Sequence, residues 1–319
     1  MKKISICVPC YNEELNIIPM YEKLQEVLAV YKDNYIFEII FADNASTDQS
    51  REILRALAQK DRNVKVILNT RNFGPVASNR NSILKSTGDA VITIVCDFQD
   101  PPDMLPDFIE QWEAGNLVVC GQKIKSAEKG PKKLARTIYY KIIKSISEVP
   151  QYDQVTGFAI YDRKVIEDIR KFNNPNIALR HVLSYIGYPV KLIPYKQPER
   201  RAGKSSYNLS RYFDFALTSL INTSFKPIRI ITIIGIMASL VSFLIGVIYF
   251  IYKLLHWNSF STGIAPLLIG IFFIGSILLF FLGLIGEYII ALLKQTENHP
   301  AVFELECLNF DEDDHNRRL

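Results

Sequence analysis

Two uninterrupted apolar stretches, Ile228 to Tyr252 and Ile264 to Leu293, constrain this 319-residue chain more than any other feature. Each exceeds the ~20 residues a helix needs to span the hydrocarbon core of a bilayer, whereas the apolar runs upstream are short and strand-like. Neither has a polar face, which argues against a helical hairpin buried in protein. Lys226 and Arg229 precede the first stretch, Lys294 follows the second, and the short connection offers Lys253 alone. The positive-inside rule then places both ends in the cytoplasm. The expected arrangement is a cytoplasmic domain over 1–225, a multi-pass anchor of two helices in the plasma (inner) membrane over 226–294, and an acidic cytoplasmic tail over 295–319.

Without the anchor and tail about two hundred residues remain, enough for one large domain with a full core. The net charge of +4 is mild, and part of it gathers before the anchor, at Arg200, Arg201, Lys204, Arg211, Lys226 and Arg229. A basic shoulder at a cytoplasmic leaflet attracts anionic headgroups and phosphates. Nucleic acid is not an expected partner, because the basic residues do not alternate with aromatic ones along a helix or sheet face. Met1-Lys2-Lys3 leads straight into Ile4 to Val8, so no signal peptide is expected, and the five cysteines read as thiols. Cys7 and Cys10 form a C-x-x-C, but no second pair completes a zinc site; Cys7, Cys96 and Cys120 read as small apolar strand residues.

From the start to about Gly121, strand-like and helix-like segments alternate. Ser5 to Val8, Phe37 to Ala42, Val64 to Leu68, Ala90 to Cys96 and Leu117 to Cys120 are short runs rich in Val and Ile, as in a sheet covered on both faces. Between them Leu24, Val27, Leu28 and Tyr31 fall at helical spacing, Pro19 suits a helix start, and Ser46 with Gln49 reads as a capping box ahead of Ile53, Leu54 and Leu57. This is the pattern of an open, mostly parallel α/β sheet. The region from Ser126 to Phe225 is less regular, and Tyr212, Phe213, Phe215, Leu217 and Leu220 predict an amphipathic helix on the membrane surface.

Open α/β sheets bind ligands at the carboxyl ends of their strands. Here those ends read Pro9-Cys10-Tyr11-Asn12-Glu13, Asp43-Asn44-Ala45-Ser46 and Asp97-Phe98-Gln99-Asp100-Pro101-Pro102-Asp103. Neither G-x-G-x-x-G nor G-x-x-x-x-G-K-[ST] is present, which disfavours dinucleotide oxidoreductases and P-loop enzymes. Asp97 at a strand end is the first candidate: a carboxylate there can ligate Mg²⁺ or Mn²⁺, and the cation in turn bridges a diphosphate. Asp43 at a second strand end completes a pair suited to a nucleotide, one carboxylate for base or ribose and one for the metal.

The set Val8-Pro9-x-Tyr11-Asn12-Glu13-Glu14, Asp43-Asn44-x-Ser46-Thr47-Asp48, Arg71-Asn72-Phe73-Gly74, Thr87-Gly88-Asp89, Asp97-Phe98-Gln99-Asp100-Pro101-Pro102 and Arg201-x-Gly203-Lys204-Ser205 resembles glycosyltransferase family 2. Within it the chain is similar to the polyprenyl-phosphate glycosyltransferases, related to dolichyl-phosphate mannose synthase and the bactoprenol glucosyltransferases. The resemblance extends to Gly283-Leu284-Ile285-Gly286-Glu287-Tyr288. It implies a GT-A fold (Rossmann-like, mostly parallel) with a nucleotide-sugar half over 1–125 and an acceptor half over 126–225. It also implies an inverting mechanism, a nucleotide-diphosphate sugar donor, a polyprenyl phosphate acceptor and a homo-oligomer.

By the same resemblance, Pro9, Tyr11, Asn12, Glu13, Asp43, Asn44 and Asp97 hold the nucleotide sugar, and Asp97 with Gln99 lies at the metal. Arg180, Arg200, Arg201, Lys204 and Ser205 face the acceptor phosphate, and Asp97, Arg201 and Lys204 carry the chemistry. Three departures stand out. Val95 occupies the first place of the usual Asp-x-Asp, Thr156-Gly157-Phe158-Ala159 replaces a Gly-Asp-Phe-Arg segment, and Asn44 replaces a second Asp. The expected activity is transfer of one sugar, UDP-glucose being the first guess for donor, to undecaprenyl phosphate for envelope glycosylation. The alternatives are a neutral lipid acceptor, or a silent homologue that scaffolds envelope assembly.

Overall fold

The computed structural model describes residues 1–124, 155–172, 179–198 and 300–310, with single positions between 233 and 292. In β1 (Lys2–Cys10) every residue from Ile4 to Val8 is buried. Ile4, Ile6 and Val8 face one layer and Cys7 the other, the period of two that a doubly covered strand requires. β2 (Tyr35–Asp43) repeats the pattern, with Ile39 and Phe41 on one side and Ile40 and Ala42 on the other. With β3 (Val64–Asn69), β4 (Ala90–Thr93), β5 (Val118–Lys123), β6 (Val155–Asp162), β7 (Val190–Tyr195) and β8 (Glu304–Leu308) they form one sheet in the order β7-β5-β6-β4-β1-β2-β3-β8. β1 pairs in parallel with β2 and β4, β2 with β3, and β5 with β7; the pairs β4–β6, β5–β6 and β3–β8 are antiparallel. The mostly parallel sheet expected from the sequence is present.

Helices cover both faces. α1 (Ile17–Leu28) buries Ile17, Met20, Leu24 and Leu28, spaced three and four apart, on the same layer as Leu54 and Leu57 of α2 (Ser50–Lys60) and Leu105, Phe108 and Ile109 of α4 (Leu105–Glu113). The opposite layer takes Ile83 of α3 (Pro75–Lys85), Val165, Ile166 and Ile169 of α5 (Arg163–Arg170), and Val182 and Leu183 of α6 (Leu179–Ile186). Burial of each such side chain contributes ~1.5–3 kcal/mol, which is what holds these amphipathic segments on the sheet. Gly88 marks a close approach: a Cβ there would lie 2.7 Å from Ser5 N, so the Thr87-Gly88-Asp89 turn can rest on β1 only with glycine. That motif is structural and sits at the amino end of β4.

Several sequence readings are corrected by this architecture. Ser46 and Gln49 make no capping box, because the Ser46 hydroxyl accepts the Asn12 N–H at 2.9 Å; α2 starts at Ser50, whose N–H bonds Asp48 Oδ1 at 3.0 Å. β4 ends at Thr93 rather than Cys96, since the chain turns towards Asp100 and Phe98 takes a left-handed φ of 62°. The stretch that reads as irregular supplies β6 and β7, with β6 inserted between β4 and β5.

Residues 304–308, read from the sequence only as part of the acidic tail, supply β8 at the edge of β3. Asn81 Nδ2 and Lys85 Nζ donate to the Glu304 carboxylate at 2.7 and 2.5 Å, and Asn309 Nδ2 donates to Ala58 O and Val64 O, both at 2.7 Å. The acidic run Asp311 to Asp314 lies outside the described residues.

Two buried carboxylates tie the fold to pH. Burial alone would raise Glu38, but bonds from Lys3, Ser5 and Thr87 and the charge of Lys65 bring it from its ordinary 4.5 down to about 2. Burial likewise opposes ionisation of Glu304, and Asn81, Lys85 and Cys307 outweigh it, again to about 2. Groups with depressed folded pKa values contribute stability that is complete above the unfolded pKa and is lost as pH falls through the folded one. Thermal midpoints are therefore expected to hold down to about pH 5 and to fall steeply between about pH 4.5 and 2, less steeply in Glu304→Gln. A wild-type midpoint that is flat across that window would contradict both assignments.

Two compact units divide the chain: Met1–Lys141, Val149–Asn208 and Asn298–Leu319 in one, Ile142–Glu148 and Leu209–Glu297 in the other. In the second unit Ile271, Ile274, Leu278, Leu282, Ile285, Ile289 and Leu292 are helical and exposed, three and four residues apart. Among the described residues no helix is long and apolar enough to cross a membrane. Most of the expected anchor, and the expected surface helix before it, lie outside the described residues.

Candidate active site

Four loops leave the sheet at the carboxyl ends of β3, β2, β1 and β4. Cys10 and Asp43 are partners in register, and Asn44 N–H bonds Cys10 O at 2.9 Å, so the ends of β1 and β2 are level. Asn12, Ala45 and Phe98 have φ of 55°, 64° and 62°, one in each loop after β1, β2 and β4. Non-glycine residues in this region are uncommon and persist where their surroundings over-determine them, which happens disproportionately at functional sites.

The first two loops are laced together. Asn12 Oδ1 accepts Thr47 N–H at 2.8 Å, Glu13 N–H bonds Ser50 Oγ at 3.0 Å, and Glu14 N–H bonds Asp48 at 3.2 Å while its carboxylate accepts Gln49 N–H at 2.9 Å. The Tyr-Asn-Glu-Glu and Ser-Thr-Asp runs are thus two halves of one bracket. Glu13 is buried and accepts Asn16 Nδ2 at 2.5 Å. Asn12 and Glu13, expected at the nucleotide, use these contacts to shape the bracket; Pro9 and Tyr11 stand half-buried at its mouth.

Asp43 is fully buried at the end of β2. Its Oδ2 accepts Ser46 N–H at 3.1 Å and Arg51 Nε at 3.0 Å, and Arg51 also reaches Asn69 O at 2.8 Å. Its Oδ1 has no hydrogen-bond partner among the described residues. Buried polar atoms are almost always satisfied, so an orphaned carboxylate oxygen at a strand end fits a ligand N–H or O–H. Arg51 was missed by the sequence reading, although a cation in the first turn of a helix, unfavourable against the helix dipole, hints at an anionic partner.

Asn44, one of the departures, has a structural explanation. Its Nδ2 donates to Asn72 Oδ1 at 3.0 Å, while its Oδ1 accepts Phe73 N–H at 3.0 Å and Asn69 Nδ2 at 3.2 Å. Asn72 Oδ1 also accepts Gly74 N–H at 2.9 Å. An amide can both donate and accept here; a carboxylate can only accept. Asn44→Asp is expected to set two acceptors against each other, costing ~1–3 kcal/mol and loosening the Arg71–Gly74 loop. Donor KM should rise more than kcat falls, and a variant with unchanged thermal midpoint and KM would show the amide to be dispensable.

Asp97 and Gln99 follow β4. Both are half-exposed, and Gln99 N–H bonds Asp97 Oδ1 at 3.1 Å. Asp100, beside them, is buried and accepts Tyr195 O–H at 2.9 Å; burial pushes its pKa up to about 6, partly offset by Tyr195 and the Lys123 charge. Tyr195, on β7, had no sequence signal, since 95 residues separate it from Asp100. Among the described residues no group of three or more His, Cys, Asp or Glu is placed to hold a metal. One carboxylate with a neighbouring amide still fits Mg²⁺ or Mn²⁺, which take one or two protein ligands and complete their shell with water and substrate phosphates. Gly157 is exposed at the start of β6, and a Cβ there would come no closer than 4.0 Å to Asn79 Nδ2.

Of the residues expected at the acceptor phosphate, Arg180 is on α6 with its side chain outside the described residues, and Arg200, Arg201, Lys204 and Ser205 lie outside them altogether. The structure therefore brings together Pro9, Tyr11, Asn12, Glu13, Asp43 and Asn44 at the level ends of β1 and β2, with Asp97 and Gln99 after β4, the strand paired to the other side of β1.

A mostly parallel sheet covered on both faces, with acidic residues at its carboxyl edge and β6 running antiparallel beside β4, is a GT-A-like domain, the class of a glycosyltransferase. Residues 5–170 match glycosyl transferase family 2, and residues 226–292 match the GtrB C-terminal hairpin. The chain belongs to glycosyl transferase family 2 and is a glycosyltransferase. It is 32% identical over 297 residues to a protein of Bacillus subtilis (strain 168) called uncharacterized glycosyltransferase YkcC, covering 93% of this chain and 91% of the relative. It is 32% identical over 299 residues to the SfII prophage-derived bactoprenol glucosyl transferase of Shigella flexneri, covering 93% and 96%. The prophage bactoprenol glucosyl transferase homolog of Escherichia coli (strain K12) is also 32% identical over 299 residues, covering 93% and 97%.

Proposed function

We propose that this glycosyltransferase moves one sugar from a nucleotide-diphosphate donor, UDP-glucose first, to a polyprenyl phosphate such as undecaprenyl phosphate, with inversion, at the cytoplasmic face of the membrane. The observation that carries the reading is the joining, in one chain, of the carboxylates Asp43 and Asp97 beyond the carboxyl edge of the sheet in a family 2 domain to a hairpin match in which Ile271, Leu278, Leu282 and Leu292 are exposed. Similarity to the bactoprenol glucosyl transferase of Shigella flexneri runs through both parts.

In this reading the unpartnered Oδ1 of Asp43 accepts from the base or ribose, and the Arg51 contact at Oδ2 holds that carboxylate in place. Asp97 and Gln99 are the residues that would hold Mg²⁺ or Mn²⁺, and the bound cation would neutralise charge on the departing diphosphate. The acceptor is a phosphate monoester with a second pKa near ~6, so its oxygen is already anionic at cytoplasmic pH and needs no protein base. Gly157 in place of an Asp is compatible with that. Arg180, Arg200, Arg201, Lys204 and Ser205 supply the positive charge and hydrogen bonds that bring this anion to the donor.

β8 supports the topology. Its residues follow the hairpin in sequence yet pair with β3 of the catalytic domain, and a strand cannot pair across a bilayer. If the segment between spans the membrane, this pairing requires an even number of crossings, in line with the proposed cytoplasmic placing of both termini. The test is to offer the purified protein a panel of UDP- and GDP-sugars with undecaprenyl phosphate and to weigh the lipid product. A lipid gaining one hexose supports the reading; nucleotide-sugar turnover with no lipid product, or none at all under metal, overturns it.

A further inference from the structure

The segment that returns from the hairpin does more than finish the sheet. At its start, Phe303 O accepts Thr70 N–H at 2.9 Å and Thr70 Oγ1 at 3.1 Å, holding the first residue after β3. The Phe303 ring lies 6.3 Å from that of Phe73, centroid to centroid, and the Arg71 guanidinium sits over the Phe73 ring at 4.1 Å. Phe73 N–H in turn bonds Asn44, next to Asp43. An unbroken series of contacts thus runs from the residue after the hairpin's return, through the loop after β3, to the end of β2.

The rest of the segment is fastened to the helices on either side of β3 in the chain. Glu304 binds Asn81 and Lys85 of α3, Glu306 pairs with Arg55 of α2 at 2.9 Å, and Asn309, at a φ of 61°, donates to backbone carbonyls at the end of α2 and the start of β3. Both helices that flank β3 are gripped. Phe303 itself is 50% exposed, so it adds little to the core. An exposed aromatic just before a tightly bound strand, in tilted ring contact with a loop of the site, has the properties of a contact that places that loop.

We infer that residues 302–310 are a strap that positions the Arg71–Gly74 loop for the donor nucleotide, with Phe303 as the positioning residue, so that donor affinity depends on the returned C-terminal segment. This rests on reading the strand ends as the donor site. The strap acts on the loop without touching the reacting atoms, so it should alter donor binding and leave the chemical step almost unchanged.

The test uses full-length protein in detergent and three variants, Phe303→Ala, Phe303→Tyr and Leu305→Ala, the last altering an exposed residue of β8 itself. Two readouts are taken, UDP and GDP binding by calorimetry and hydrogen exchange at the Phe73 and Gly74 amides. In Phe303→Ala both amides should exchange about three- to tenfold faster, and the nucleotide bound by wild type should bind about three- to tenfold more weakly, the scale of one aromatic contact. The thermal midpoint should stay within about 2 °C of wild type, as expected of a surface side chain. Phe303→Tyr should retain wild-type values, and Leu305→Ala should change neither.

If wild type binds neither nucleotide, the donor-site reading fails while faster amide exchange still supports the strap. Unchanged exchange at Phe73 and Gly74 in Phe303→Ala, unchanged binding of the wild-type nucleotide, or equal effects in Leu305→Ala would overturn the strap.

Discussion

Asp97→Asn is expected to lower sugar transfer on the order of a hundredfold or more, the scale on which losing one preorganised electrostatic partner slows an enzyme. The fold should survive, because an asparagine Oδ1 can still accept the Gln99 N–H that Asp97 accepts at 3.1 Å. What the variant lacks is charge. A neutral amide keeps an oxygen ligand but much less attraction for a divalent cation, and the described residues offer no cluster of carboxylates to replace it. The measurement is the rate of lipid product across a Mn²⁺ and Mg²⁺ titration, with the thermal midpoint as a control. Rates like wild type, or full wild-type activity in excess chelator, would remove Asp97 from the metal.

Ending the chain at Phe225 is expected to give an aggregating protein rather than a soluble domain. From sequence alone the catalytic part is complete by then, but the truncation also deletes β8. The cut would bare the edge of β3, a strand rich in Val and Ile whose hydrogen-bonding groups would then be open, which is a template for intermolecular pairing. It would also remove the donor that satisfies Ala58 O and Val64 O, and the carboxylate that pairs with Lys85. Lys85 regains water when the strand leaves, so its loss is smaller than the ~3–5 kcal/mol of breaking a pair that stays buried. Together with the ladder these losses are a large part of the ~5–15 kcal/mol by which domains are stable. Fusing residues 298–310 after Phe225 through a Gly/Ser linker should restore a monodisperse protein. Equal solubility and thermal midpoint with and without the fused segment would show β8 to be dispensable.

The strands β1 to β5, the covering of both sheet faces and the strand-end position of Asp43 were legible in the sequence; Asp97, also read at a strand end, lies in the loop that begins after Thr93. Each depends on residues near one another in the chain: short runs rich in Val and Ile, helical spacing between them, and a polar residue where an apolar run stops. Periodicity records which side of an element meets the core, and that information is local. The motifs Tyr11 to Glu14 and Ser46 to Asp48 were equally visible, but their use was not. Only the structure shows that they bind each other, with Asn12 and Thr47 as partners, and that Asn44 is matched to Asn72.

The tertiary structure alone decided the places of β6, β7 and β8, the pairing of Arg51 with Asp43, and the contact of Tyr195 with Asp100. Phe303 next to Phe73 is the extreme case, with two membrane-length stretches lying between them in sequence. The edge strand Glu304–Leu308 buries none of its side chains fully, so its composition carries no core signal, and a hydrogen bond across a fold leaves no periodic trace in either segment. Local patterning follows from the burial of each element by itself. Which elements become neighbours follows from the closing of the whole sheet, a global condition that no short stretch of sequence contains.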